Sequence, residues 1–252
     1  MSQEASAETR AQSQEHWNRY PCGINLPIGT PGTKEFYTNL RRFKYEFDYP
    51  EIVDYVRFSE GRSKKVLDAG CGLGTDSQTW LENGALLTSV DFAQRAVDET
   101  NQRLEMFGLP QTAQRASVLE LPFPDETFDV YYSWGVLMHT GNVPKGLSEA
   151  YRVTKKGGEI IGLFYNKNSF SYRIHVQLLG RPYDDGAPIT EFFTNRDLAA
   201  MLSRAGFKMT ELKNYYFIRP NVSRLGNYIP APLERLLGKA WGACTYIRAV
   251  KA

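Results

Sequence analysis

The stretch Val66-Leu67-Asp68-Ala69-Gly70-Cys71-Gly72-Leu73-Gly74-Thr75, followed by an apolar run that ends in Val90-Asp91, decides the fold. A short buried strand feeds a glycine-rich turn, a helix follows, and a second strand delivers a carboxylate 23 positions after Asp68. Lacking Cβ atoms, Gly70, Gly72 and Gly74 permit positive φ and let a ligand approach the main chain closely. The helix predicted from Thr75 turns its unpaired N–H groups and its positive end toward the same crevice. Asp91, at the tip of the second strand, can accept hydrogen bonds from both hydroxyls of a ribose. The pattern predicts a nucleoside-binding crevice.

The glycine spacing narrows the ligand. A dinucleotide fingerprint, GxGxxG, would set its third glycine at position 75, where Thr75 stands; here the turn reads GxGxG and the third is Gly74. Asp68 to Gly74 matches E/DxGxGxG, and in this the chain resembles the class I S-adenosylmethionine-dependent methyltransferases. Three further segments carry the resemblance to the small-molecule, methyltransferase type 11-like branch: Leu121 to Val130 (LPFPDETFDV), Ser133 to His139, and Tyr151 to Gly158 (YRVTKKGG). Together they span roughly residues 62–165 in the family's order. The resemblance implies S-adenosylmethionine as cofactor, released as S-adenosylhomocysteine. It implies that Asp68, Gly70, Cys71, Gly72 and Gly74 hold it, with Asp91 at the ribose, Phe92 and Val118 against adenine, Ser117 near the adenine amino group, and Ser133 and Trp134 near the methionine end. Two positions depart from the family: Ser117 stands where an acid is usual, and Lys156 replaces the proline of the K-P-G-G turn.

Strand and helix patterns alternate along the chain. Strands are expected at 65–69, 86–91, 113–117, 128–133 and 159–165, with helices over 93–107 and 145–153 between them. Alternation of this kind argues for a parallel sheet covered by helices on both faces. With β-rich runs at 207–218 and 244–250, the resemblance implies an α/β, Rossmann-like seven-stranded sheet, mostly parallel, ending in a C-terminal antiparallel hairpin. Residues 1–63 read as a polar, disordered start followed by an aromatic-rich N-terminal helical cover or substrate lid. Residues 64–252 read as the methyltransferase domain, with insertions at 166–195 and 219–240 that carry Tyr172, Tyr183, Phe192, Phe193 and Tyr228. Segments covering the carboxyl edge of such a sheet can wall an acceptor pocket.

Composition bounds the rest. The chain has 252 residues, is 42% hydrophobic and 23% charged, and carries a net charge of +2, which is ordinary for a soluble globular protein and leaves no global footprint for nucleic acid. No (N/D/S)PP(Y/F) segment follows the fourth strand, so a nucleic-acid base is not the expected acceptor. No apolar run reaches the roughly 20 residues of a membrane span and the polar start lacks a signal peptide's apolar core, so a cytoplasmic location is expected. Cys22, Cys71 and Cys244 show no metal-ligand spacing, and no metal is expected. From Arg204 to Ala252, nine Lys or Arg stand against two Glu, and Leu233, Leu236, Leu237 and Trp241 fall at near-helical spacing; a solvated face and a membrane-contacting face both fit. The oligomeric state is not written in the sequence.

The reaction that the resemblance implies is in-line displacement at a sulfonium methyl, which needs a base only when the acceptor is protonated. His139 is the candidate base, since its ordinary pKa suits proton abstraction near neutrality. The alternative for His139 is a role in capping or packing a helix end; Tyr20, Tyr165 and Glu191 are other candidates, and His16 and His175 read as structural or exposed. The expected acceptor is a hydroxyl on a small lipophilic or aromatic metabolite. C- or N-methylation, and a non-catalytic regulatory protein that binds S-adenosylmethionine, are the alternatives.

Overall fold

Strand β1 (Lys65–Ala69) is buried over Val66, Leu67, Asp68 and Ala69, as a strand covered on both faces must be. The computed structural model describes residues 6–181, 186–218 and 229–252. In it β1 pairs in parallel with β2 (Leu86–Asp91) on one side and β4 (Phe128–Trp134) on the other. β3 (Ala113–Arg115) extends the β2 side, and β5 (Thr154–Asn166) the β4 side, both in parallel. β8 (Cys244–Lys251) runs antiparallel to β5, and β7 (Phe207–Tyr215) closes the order β3-β2-β1-β4-β5-β8-β7 as the predicted hairpin. A two-residue β6 (Phe192–Phe193) pairs beside the end of β5, so the sheet has eight strands, one more than the pattern predicts. Strand order reverses between β1 and β4, which opens a crevice at the carboxyl edge there.

The helices α4 (Thr75–Glu82), α5 (Gln94–Met106), α6 (Val143–Val153) and α7 (Asn195–Ala205) cover the sheet. Trp80, Tyr131, Tyr132, Leu67 and Phe164 fill the space between layers, each under 2% exposed. Of the expected strands, β3 stops at Arg115 and leaves Ser117 outside it, in an isolated bridge to Glu120. β7 ends at Tyr215 because Tyr216 adopts φ 64, outside the extended region.

The N-terminal cover differs from its sequence reading in extent. Where polar composition predicts disorder, the chain is helical from Ala7: α1 (Ala7–Arg19) is capped by the Ser6 hydroxyl, which accepts the Thr9 N–H at 3.1 Å. Tertiary contacts supply what the weak apolar pattern does not. Gln14 donates to the Phe92 carbonyl at 3.2 Å, and Arg95 on α5 donates to the Arg19 carbonyl at 2.8 Å. α2 (Lys34–Phe43) buries Phe36, Tyr37 and Leu40 against Ile24 and Leu73, forming a small second core over the glycine loop. A π-helical turn, Lys44–Asp48, and α3 (Ile52–Val56) complete the cover. α8 (Ala231–Trp241) lies between β7 and β8. Residues 1–5, and Tyr183 and Tyr228 of the two insertions, lie outside the described residues.

Candidate active site

The glycine loop leaves β1 in a conformation few residues tolerate. Gly70 has φ 96, and a Cβ there would lie 2.2 Å from Cγ2 of Val136, so both the dihedral and the space demand glycine. The N–H groups of Gly70 and Cys71 donate to the Val90 carbonyl at 2.8 and 3.0 Å, tying the loop to the end of β2. Gly74 (φ 70) starts α4, packed against Thr100 of α5. At Gly72, a Cβ would meet nothing within 4 Å, so this part of the loop faces open space.

Asp91 sits at the tip of β2, 8% exposed. Its Oδ1 accepts the Ala93 N–H at 3.0 Å and its Oδ2 the Gly72 N–H at 3.1 Å, so loop and carboxylate position each other. Burial raises its pKa, and those backbone donors oppose the rise. Asp68, 2% exposed at the end of β1, accepts the Ser77 hydroxyl at 2.6 Å. Burial, and next the charge of Asp76, push its carboxyl up to about 7. A cationic group arriving beside it would favour the ionised form.

The remaining predicted contacts divide. Val118 is buried, Phe92 half-buried, and Ser117 exposed, its hydroxyl oxygen accepting the Leu119 N–H at 3.2 Å. Ser133 is 2% exposed and donates to the Ala69 carbonyl at 3.1 Å, which makes it a tie between β4 and β1. Trp134 stacks on Tyr132 at 5.9 Å and meets Tyr246 edge-on at 4.5 Å. Its indole N–H is buried with no hydrogen-bond partner among the described residues, a cost of about 1–3 kcal/mol that an anionic ligand group could offset. The open face at Gly72, the carboxylate of Asp91 and this indole N–H are features that fit an adenosyl cofactor.

His139 ends a short 3-10 turn (Leu137–His139) beyond β4 and is 9% exposed. Its Nδ1 lies 2.7 Å from the Ile189 carbonyl oxygen. Trp17 of α1 meets its ring at 5.3 Å and Tyr165 of β5 at 5.9 Å, and the aromatic row continues through Phe192 to Tyr172. Glu191 reaches the same turn through its backbone, donating to the Met138 carbonyl at 3.0 Å. Tyr20 is 45% exposed. Among the described residues, no group of three or more His, Cys, Asp or Glu side chains is placed to hold a metal ion, and no helix is long and apolar enough to cross a membrane.

Two clusters beneath the loop escaped sequence reasoning. Asp76, in the first turn of α4, accepts from Lys44 at 2.6 Å, Tyr132 at 2.6 Å and Tyr45 at 2.9 Å, which fastens the N-terminal cover to the core. Arg103 of α5 is fully buried and donates to the Leu73 carbonyl, the Thr75 hydroxyl, Gln78 and the Tyr37 carbonyl, at 2.7–3.2 Å. Burial lowers its pKa to about 10. Its only sequence signal is a cation in an otherwise routine amphipathic helix.

A mostly parallel sheet with a GxGxG turn at its switch point and an acid at the tip of the next strand has the architecture of a nucleoside-binding site. Residues 67–162 match the model of the methyltransferase domain family. Malonyl-[acyl-carrier protein] O-methyltransferase of Serratia marcescens is 35% identical over 101 residues, 39% of this chain and 37% of that protein. Demethylmenaquinone methyltransferase of Tropheryma whipplei (strain Twist) is 28% identical over 170 residues, 61% of this chain and 70% of that protein. The chain thus spans little more than a third of the length of the first relative. Geranyl diphosphate C-methyltransferase from Streptomyces coelicolor A3(2) shares the fold with a TM-score of 0.67 at 14% identity, covering 99% of this chain and all of its own. Over residues 67–162 the chain is similar to the methyltransferase domain family, and these likenesses support S-adenosylmethionine as its cofactor.

Proposed function

We propose that the protein transfers the methyl group of S-adenosylmethionine to a hydroxyl oxygen of a small lipophilic or aromatic metabolite. The cofactor supplies an electrophilic methyl carbon on a sulfonium, so alignment of the acceptor contributes much of the acceleration, up to about 7–11 kcal/mol in well-oriented systems. In this reading Asp91 accepts the ribose hydroxyls, the Gly70–Gly74 loop lies against the adenosyl group, Phe92 and Val118 flank adenine, Ser117 lies near its amino group, Asp68 and Trp134 face the methionine end, and Ser133 supports that end by tying β4 to β1. Within the N-terminal cover, α1 acts as the lid, because it touches both Phe92 and His139.

The observation that carries the acceptor type is the contact of His139 with Ile189. A carbonyl oxygen only accepts, so Nδ1 donates to Ile189 and the ring orientation of His139 is fixed. In this reading His139 accepts the hydroxyl proton as the oxygen attacks the methyl carbon and the sulfonium leaves as the thioether, and the Ile189 carbonyl steadies the imidazolium that forms. A base so placed contributes on the order of 10²–10⁴-fold. Trp17, Tyr165, Phe192 and Tyr172 wall the mouth with rings, which favours a flat, lipophilic acceptor. The name of one curated relative, a demethylmenaquinone methyltransferase, agrees with a small acceptor, and that of another, a malonyl-[acyl-carrier protein] O-methyltransferase, agrees with transfer to oxygen.

The test is turnover of S-adenosylmethionine with a panel of phenols and other hydroxylated metabolites by wild type and His139→Ala. The expected result is a loss of about 100-fold or more in kcat with unchanged cofactor affinity. An undiminished rate would return His139 to a packing role. Methylation confined to carbon or nitrogen acceptors would move the chemistry to those atoms, and tight cofactor binding without turnover on any acceptor would favour a regulatory protein.

A further inference from the structure

Outside the crevice, exposed apolar side chains gather on one edge. Among the described residues the two most exposed large hydrophobic side chains are Leu178, at 72%, and Leu236, at 64%; Leu179, Leu233 and Trp241 are each about half exposed. Leu178 ends a π-helical segment (Tyr172–Leu178) that follows β5, whereas Leu233, Leu236 and Trp241 belong to α8, which precedes β8. Both segments leave the sheet at its carboxyl edge, because Tyr165 near the end of β5 pairs with Cys244 at the start of β8. Phe217 joins them. Its ring stacks on Phe170 at 4.7 Å, its carbonyl accepts the Ser171 hydroxyl at 3.4 Å, and its N–H donates to Glu234 of α8 at 3.0 Å.

Among the described residues, the exposed charges on these two segments are basic. Residues 170–181 carry Arg173 and Arg181 and no acid; residues 229–241 carry Arg235, Lys239 and Glu234, and Glu234 is turned inward onto the Phe217 N–H. Single exposed leucines are ordinary. Five large apolar side chains on two joined segments, flanked by four exposed basic residues, have the composition of a surface that lies in a lipid headgroup layer.

We propose that this edge docks on the surface of an anionic lipid bilayer. The leucines and Trp241 enter the boundary between headgroups and acyl chains, and the four basic side chains pair with lipid phosphates. A second copy of the chain is a poorer occupant, because a self-complementary interface would bring the basic residues of two patches face to face. The inference does not depend on which acceptor is methylated.

Flotation of the full chain with vesicles tests it. Binding is expected to vesicles of phosphatidylcholine with phosphatidylglycerol, to fall by about tenfold or more on phosphatidylcholine alone, and to weaken as salt rises. The double substitution Leu178→Glu and Leu236→Glu should lower binding to the mixed vesicles by about tenfold or more and leave S-adenosylmethionine titration unchanged, the sign that the fold is intact. Absence of wild-type binding, or equal binding by the double variant, would overturn the proposal. So would a concentration-dependent dimer in sedimentation velocity that the double variant dissociates, since the patch would then belong to a second copy.

Discussion

Replacing Asp91 by alanine removes four interactions at one stroke if the crevice holds an adenosyl group. Two are internal, the bonds that Oδ1 and Oδ2 accept from Ala93 and Gly72. Two are the bonds offered to ribose hydroxyls. A hydrogen bond to a charged group contributes about 1.5–3 kcal/mol, so the ribose pair sets an upper figure near 3–6 kcal/mol, part of which water entering the truncated site would recover. Cofactor affinity should therefore fall by at least about 1.5–3 kcal/mol, or roughly 10- to 150-fold. Isothermal titration with S-adenosylmethionine and S-adenosylhomocysteine reads this directly. The ligand-free variant should remain folded, because the substitution also removes a buried carboxylate whose raised pKa records a desolvation cost. Asp91→Asn separates the two effects. Its amide oxygen can replace one acceptor, but its amino group then faces a backbone N–H, so its affinity should lie between those of wild type and alanine. A folded Asp91→Ala protein with unchanged affinity would refute the placement of the ribose.

Other consequences follow from groups beside the loop. The Asp68 carboxyl titrates at about 7 when folded against an ordinary 3.8, so the folded state keeps a proton that the unfolded chain has lost; this contribution is complete below pH 3.8 and declines, by up to about 1.4 kcal/mol per pH unit, as pH rises toward 7. Asp68→Asn should flatten that part of the ligand-free stability curve in urea unfolding, and an unchanged slope would reject the assignment. Arg103→Met leaves the buried Leu73 and Tyr37 carbonyls without their donor and should destabilise the protein by about 3 kcal/mol or more, read from the denaturation midpoint. Gly70→Ala forces a Cβ against Val136 at positive φ and should cost about 2 kcal/mol or more of stability together with cofactor affinity; wild-type behaviour in both would show that the loop has room to move.

The parts of the site legible in the sequence are those set by local geometry. A strand that must end, a turn that must take positive φ and a helix that must begin occupy ten consecutive residues, and a fixed βαβ unit carries Asp91 to the same edge. The parallel pairing of the first strands followed from the same alternation, whereas the strand ends did not: Tyr216 stops β7 through its own dihedral, and β6 forms beside the end of β5. α1 was misread as a disordered start because its helix rests on hydrogen bonds to residues 76 or more positions away.

The same separation explains what sequence reasoning missed, and it bears on how cofactor and acceptor sites are coupled. Arg103 bonds to groups 25–66 residues distant, and Asp76 gathers Lys44, Tyr45 and Tyr132 from 31–56 positions away. None of these pairs leaves a local spacing. Both clusters join the N-terminal cover to the first turn of α4, the turn that the glycine loop feeds. A cover held there by buried charged hydrogen bonds cannot shift as a rigid piece without breaking them, at about 1.5–3 kcal/mol each. α1, tied to the core through Gln14 and Arg95 and ending against His139, crosses the mouth outside those clusters. If the acceptor enters as proposed, the motion that admits it is therefore cheapest in α1, and the Trp17 ring against His139 is the contact such motion would break first.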